Sequence, residues 1–402
     1  MAVQSVPRIR GPRWSRRLVL GAAAATAAGL VLPRTAGAQT DAAGEWQPIH
    51  TASAGPGPTL RLRRGEELRV RLINDANAPT AIHWHGVRVP NAMDGVPGLT
   101  QAPAAPGASF DYRFTPLDAG TFWYHPPVAA DGQQGLGPSG ALIVMETEPV
   151  AVDQDVLLFV DKIAADTPPR TIAVRANERI RLRIVNALAD RLLPVQIEQH
   201  RVFVMAIDGQ PAEPFPARDS RVTLAPGNRI DLFAATTLPP GSTTLIVAEL
   251  PEGRLPLGRI VYDPGVPARA APPADVTPLP ANPLPSQMDF RGALRADISL
   301  DGGIVAPAGG RPLFSAKRGR AVMLALVNRT AAAHVVHVHG HAFRLLDSLD
   351  DGWKPFWLDT MLVSAGQTAR IAFVVDNPGK WMLDGRMFGE KAAGRGAWFE
   401  VL

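Results

Sequence analysis

Gly65-Glu66-Glu67-Leu68-Arg69-Val70-Arg71-Leu72-Ile73-Asn74 is one copy of a pattern that the chain repeats. Asn177-Glu178-Arg179-Ile180-Arg181-Leu182-Arg183-Ile184-Val185-Asn186 matches it position by position, and Gly319-Arg320-Ala321-Val322-Met323-Leu324-Ala325-Leu326-Val327-Asn328 is a third copy. Each begins on a turn former, alternates apolar and other residues as a half-buried strand does, and closes on Asn. Downstream of each stands Pro106-Gly107, Pro226-Gly227 or Ala365-Gly366, leading into another strand-like run. Units of about 105–115 residues have the usual size of a β-sandwich domain. The repeat therefore predicts an all-β chain of three such units, at residues 39–148, 149–263 and 288–402. The Pro-rich segment 264–287 cannot form a central strand and reads as the linker into the third unit.

Composition agrees. With 402 residues, 46% of them hydrophobic, the chain can bury large cores, and its 39 prolines and 37 glycines disfavour long helices. There is no cysteine, which excludes disulfides, zinc-thiolate sites, a nucleophilic thiol and any centre that needs a cysteine sulfur.

The net charge of +4 resides in the N-terminus: residues 1–38 hold six arginines and no acid, leaving 35 basic against 37 acidic residues beyond them. That balance gives no electrostatic reason to expect nucleic-acid binding. Ser15-Arg16-Arg17-Leu18-Val19-Leu20 resembles a twin-arginine export motif; an Ala/Gly/Leu/Val run follows from Leu18 to Leu32, then Ala36-Gly37-Ala38 offers small residues for cleavage. Residues 1–38 thus read as a cleaved signal peptide and the mature protein as periplasmic or otherwise extracytoplasmic. No later segment is long and apolar enough to span a bilayer.

The repeat also aligns the histidines. His83 and His85 follow Asn74 by nine and eleven residues, and His337 and His339 follow Asn328 by the same spacing. The same count in the middle copy reaches Val195 and Ile197. On a strand, residues two apart share a face, so each His-x-His offers two imidazoles to one side, half of a transition-metal site. Another pair of slots follows a later glycine: His125 and Pro127 after Gly120, Asp384 and Arg386 after Gly379. A cluster shared by the first and third units is expected. Imidazoles gathered in a buried site need a metal or hydrogen-bond partners, and neutral imidazole suits copper, zinc and nickel alike.

His83-Trp84-His85-Gly86, Met93-Asp94-Gly95-Val96-Pro97, Gly120-Thr121-Phe122-Trp123-Tyr124-His125, Ala206-Ile207-Asp208-Gly209, His334-Val335-Val336-His337-Val338-His339-Gly340-His341 and Asp376-Asn377-Pro378-Gly379 together resemble the three-domain multicopper oxidases. The resemblance covers essentially all of the mature chain and implies three cupredoxin-like Greek-key β-sandwiches. It implies metal ligands at His83, His85, His125, His337 and His339. His83 and His337 occupy the family's type 2 copper positions; His85 and His125 belong to one type 3 copper and His339 to the other. It also implies losses. The remaining type 3 positions hold Pro127, Asp384 and Arg386, while of the type 1 ligands only His334 stands, with Gly385, Glu390 and Arg395 at the others. Asp94 matches a carboxylate near the cluster. Asp384 is expected either as a ligand or as the partner of Arg386.

Two functions follow from that resemblance. One is an exported protein that binds copper, with zinc as the chemical rival, through a residual cluster between units one and three, with little or no laccase-type turnover. The other is a metal-free, non-catalytic periplasmic scaffold similar to SufI-type cell-division proteins, working through a protein partner. The sequence sets neither substrate nor oligomeric state.

Overall fold

The computed structural model describes residues 39–52, 56–127, 137–301, 303–304, 310–346, 356–387 and 395–402, all within one compact unit, Gly37–Leu402. The proposed signal peptide and Glu390 lie outside the described residues. Apart from the single 3₁₀ turns Asn91–Met93 and Arg218–Ser220, the described elements are strands, gathered into six sheets.

The sheets pair into three sandwiches. In the first, the strands Gln39–Asp41, Thr59–Arg63, Gly140–Met145, Gly120–His125 and His83–His85, in that spatial order, face the sheet of Trp46–His50, Leu68–Ile73 and Ser109–Phe114. The alternation of the opening repeat accounts for this: Leu68, Val70 and Leu72 point into the core, while Arg69 and Arg71 point out and pair with Glu67 and Asp111. The middle sandwich carries Arg179–Asn186 beside Arg229–Ala235, and the last carries Ala321–Val327 beside Thr368–Val374. In the middle strand Ile180, Leu182 and Ile184 enter the core, while Arg181 and Arg183 on its other face are buried as well. Buried side chains of the first and last sandwiches form one continuous cluster that includes Trp84, Phe122, Val336 and Trp381, whereas the middle sandwich has its own around Leu182, Leu232 and Ile246. Residues 263–293 carry no strand, and within them Asn282 hydrogen-bonds Ala119 and Gln210.

The closing Asn of each copy does the same work three times. The Oδ1 atoms of Asn74, Asn186 and Asn328 accept the backbone N–H two residues on, a turn that the short amide side chain favours. The Nδ2 groups pin the following loop to a neighbouring segment: Asn74 donates to Ala78 and Ala104, Asn328 to Ala332 and Val363, and Asn186 to Arg191 and Leu224. The first and third loops close four residues after the Asn; the middle one closes five after.

That extra residue corrects the alignment read from spacing. Val363, held by Asn328, pairs with His334, six residues past the Asn; Leu224, held by Asn186, pairs with Leu193, seven past. The true counterparts of His337 and His339 are therefore Gln196 and Glu198, not Val195 and Ile197. Val195 and Ile197 lie in the middle core, because a one-residue shift turns every side chain to the opposite face.

Candidate metal centre

Two hairpin-like pairings assemble the site. In the first sandwich His83 stands opposite His125 and His85 opposite Trp123, so all four share one face while Trp84 and Tyr124 enter the core. In the last, His337 stands between Thr360 and Asp384 on neighbouring strands, with Val336 and Val338 turned inward. His339 follows directly and donates its N–H to Met382. The two faces meet. His83 Nε2 lies 3.2 Å from His337 Nε2 and His85 Nδ1 lies 3.4 Å from His125 Nε2. The His85 and His337 rings stack at 3.7 Å, and His83 and His339 approach to 3.9 Å between centroids. Nitrogens of His83, His337 and His339 lie within 4.8 Å of one another, as do those of His83, His85 and His125.

Hydrogen bonds on the outer nitrogens decide which atoms face inward. A carbonyl oxygen only accepts, so His83 Nδ1–H donates to Asp94 O, His125 Nδ1–H to Pro126 O and His337 Nδ1–H to Asp359 O, each at 2.9 Å. His339 Nδ1–H donates to Asp94 Oδ2 at 3.0 Å. These four rings turn Nε2 lone pairs toward the cluster. His85 is reversed: its Nε2 meets Thr360 Oγ1 at 2.7 Å and its Nδ1 faces the cluster. The outer partner of each ring selects the tautomer that a metal ligand needs.

Burial governs the charges. It pushes His85 and His125 well below the ordinary imidazole range, lowers His337, and brings His339 down to about 4 despite the nearby Asp94. Burial alone would raise the Asp94 carboxyl; the His339 and His83 donors outweigh it and hold Asp94 in the ionised form. His85, His125, His337 and His339 are thus neutral lone-pair donors beside a fixed carboxylate.

The structure brings together His83, His85, His125, His337 and His339. Among the described residues the carboxylate that joins ring nitrogens in a ligand-like group is Asp359, with His85 and His337. Asp384 instead pairs with Arg386 at 3.5 Å. Asp359 and Thr360 were invisible in the sequence, where they have neither spacing nor composition to mark them. Trp123, stacked on His125 at 4.2 Å, belongs to the same wall.

Other histidines lie elsewhere. His334 faces the opposite side of its strand, near Thr330 Oγ1. Gly385, also on that side, abuts Ile304, whose Cγ1 would stand 2.6 Å from any added Cβ. His341 is enclosed by Phe373, Trp381 and Phe399. His200 sits in the turn after Leu193–Ile197 and contacts the Tyr262 hydroxyl at 2.6 Å, and His50 pairs with Asp75 on the surface.

Models of multicopper oxidase domains match residues 38–149, 121–252 and 280–387. The multicopper oxidase MmcO of Mycobacterium tuberculosis is 26% identical over 82% of this chain and 78% of its own length. Among solved structures, Lac15 from a marine microbial metagenome is 35% identical with a TM-score of 0.75, covering 86% of this chain and 92% of that one. A multi-copper oxidase from Pseudomonas thermotolerans is 29% identical with a TM-score of 0.74, covering 89% and 99%.

Proposed function

The chain belongs to the multicopper oxidase family, and we propose that within it this protein binds copper through His83, His85, His125, His337 and His339 but has lost laccase-type turnover. One observation carries the binding: His83 Nε2 and His337 Nε2 face each other at 3.2 Å with both ring protons committed to carbonyls on the far side. Two lone pairs so placed in a buried site repel, and a cation between them relieves the repulsion. The residues thus fit a copper of the type 2 kind, and bound copper would supply single-electron redox chemistry. Asp94 keeps the Nδ1 proton on His339, and the Asp94 and Asp359 carbonyls do so for His83 and His337. Zinc is the rival ion on the same nitrogens.

The type 1 position does not fit copper. The chain has no cysteine, and Ile304 fills the space beside Gly385, where the family's thiolate belongs. With it goes the electron path that laccase turnover requires. Arg386 and Asp384, paired with each other, stand where further ligands are needed, and Pro127 has no side-chain donor. That ion pair favours the second reading, a metal-free scaffold with a protein partner.

Calorimetric titration of the metal-stripped mature protein with copper and with zinc decides between them. Copper uptake with a rise in melting temperature is expected, since a ligand bound only to the native state adds about 2.7 kcal/mol at 100-fold over its Kd. No heat and no thermal shift with either ion would replace this reading with the scaffold. We further read the protein as exported by the twin-arginine route; no helix among the described residues is long and apolar enough to cross a membrane. Changing Arg16 and Arg17 together to Lys should retain the protein in the cytoplasm, and unchanged periplasmic accumulation in cell fractions would point to another route.

A further inference from the structure

The middle sandwich contributes no histidine to the cluster, yet its Arg229 is completely buried against all three sandwiches. Its Nη1 and Nη2 donate to the two Asp359 carboxylate oxygens of the last sandwich at 2.9 and 2.6 Å, and its Nε donates to Thr121 O of the first at 3.2 Å. Asp208, also of the middle sandwich, accepts from Arg229 N and Asn228 Nδ2, and lies 3.4 and 3.3 Å from the backbone N–H groups of Asp359 and Thr360. Two glycines make the approach possible: a Cβ on Gly86 would lie 2.2 Å from Arg229 Nη2, and one on Gly227 would lie 2.9 Å from the His85 ring.

The gripped dipeptide is the one that orients two cluster rings. Asp359 O accepts His337 Nδ1–H, and the Thr360 hydroxyl, donating to Asp359 Oδ1 at 2.8 Å, is left to accept from His85 Nε2–H. We propose that Arg229 and Asp208 are positioning residues that hold Asp359–Thr360 so that His337 presents Nε2, and His85 presents Nδ1, to the metal. The metal part of this statement rests on the copper reading above; the placement of the ring protons does not. A bidentate guanidinium grip fixes both the position and the rotation of the carboxylate, which a single contact cannot do. Burial and the adjacent Asp359 raise the Asp208 carboxyl, and the Arg229 guanidinium lies against both acids.

Nitrogen-detected NMR of histidine-labelled, metal-free mature protein tests the proton placement directly. Wild type should show His337 protonated at Nδ1 and His85 at Nε2. Arg229→Gln should scramble both tautomers while His83, held by Asp94 O, keeps its own. Arg229→Lys should restore them in part. Thr360→Val should disturb His85 most, because His337 Nδ1–H, which also lies 3.0 Å from this hydroxyl, keeps Asp359 O as its acceptor, and it decides the matter if Arg229→Gln fails to fold. Arg181→Gln, at a buried arginine that grips Glu146 and Asp231 rather than Asp359, should lower the melting temperature and leave both tautomers unchanged. In copper-loaded protein, Arg229→Gln should weaken affinity 10–100-fold, as loss of such outer partners does, and change the cupric paramagnetic-resonance hyperfine splitting. A folded Arg229→Gln, or a Thr360→Val, with wild-type tautomers would overturn the proposal. Wild type that takes up no copper would end the copper reading, while the tautomer result still stands or falls by itself.

Discussion

The last and middle sandwiches start from the same strand and the same anchoring Asn, and they put opposite things on the same face. In the last, His337 and His339 look outward at His83 and become buried by it. In the middle, Gln196 and Glu198 look outward at solvent, where Arg254 pairs with Glu198 and Arg221 with Glu249. One loop residue separates the two arrangements: Asn328 closes onto Ala332, Asn186 onto Arg191. The lesson is that a strand position acquires chemistry from the surface opposite it. The middle sandwich has no such surface there and serves the cluster from the other side, through Arg229 and Asp208.

The strongest test of this contrast removes the facing pair. His83→Ala with His337→Ala should abolish high-affinity copper uptake in calorimetry together with the accompanying thermal stabilisation; equal uptake by wild type and variant would mean that the facing rings do not form a metal site. Next in size is the face assignment itself. Val195→His buries an imidazole in an apolar core and should cost about 2–4 kcal/mol in denaturant unfolding, whereas Gln196→His on the open face should stay within about 0.5 kcal/mol. The reverse order would restore the alignment by simple spacing. Gly385→Cys should cost about 1–3 kcal/mol through overpacking against Ile304, and its copper form, like the wild type, should lack an intense blue band in visible absorption. Smallest is His200→Ala, which loses the Tyr262 contact for about 1 kcal/mol in thermal unfolding and should leave copper titration unchanged.

By itself the sequence determined the all-β character, the threefold repeat and the likeness of His83/His85 to His337/His339. These are matters of period and spacing, and a strand's two-residue alternation is written locally. It also excluded a thiolate-bound copper, because composition alone does so. Only the tertiary structure decided which residues hold the rings. Asp359, Thr360 and Arg229 lie far apart in the chain from His83 and His85, and a buried ion pair leaves no periodic trace. The middle copy shows the same boundary. A count of nine from Asn186 lands on Val195, but a loop that closes one residue later turns the strand over, and loop closure depends on which neighbouring strand receives the Asn amide.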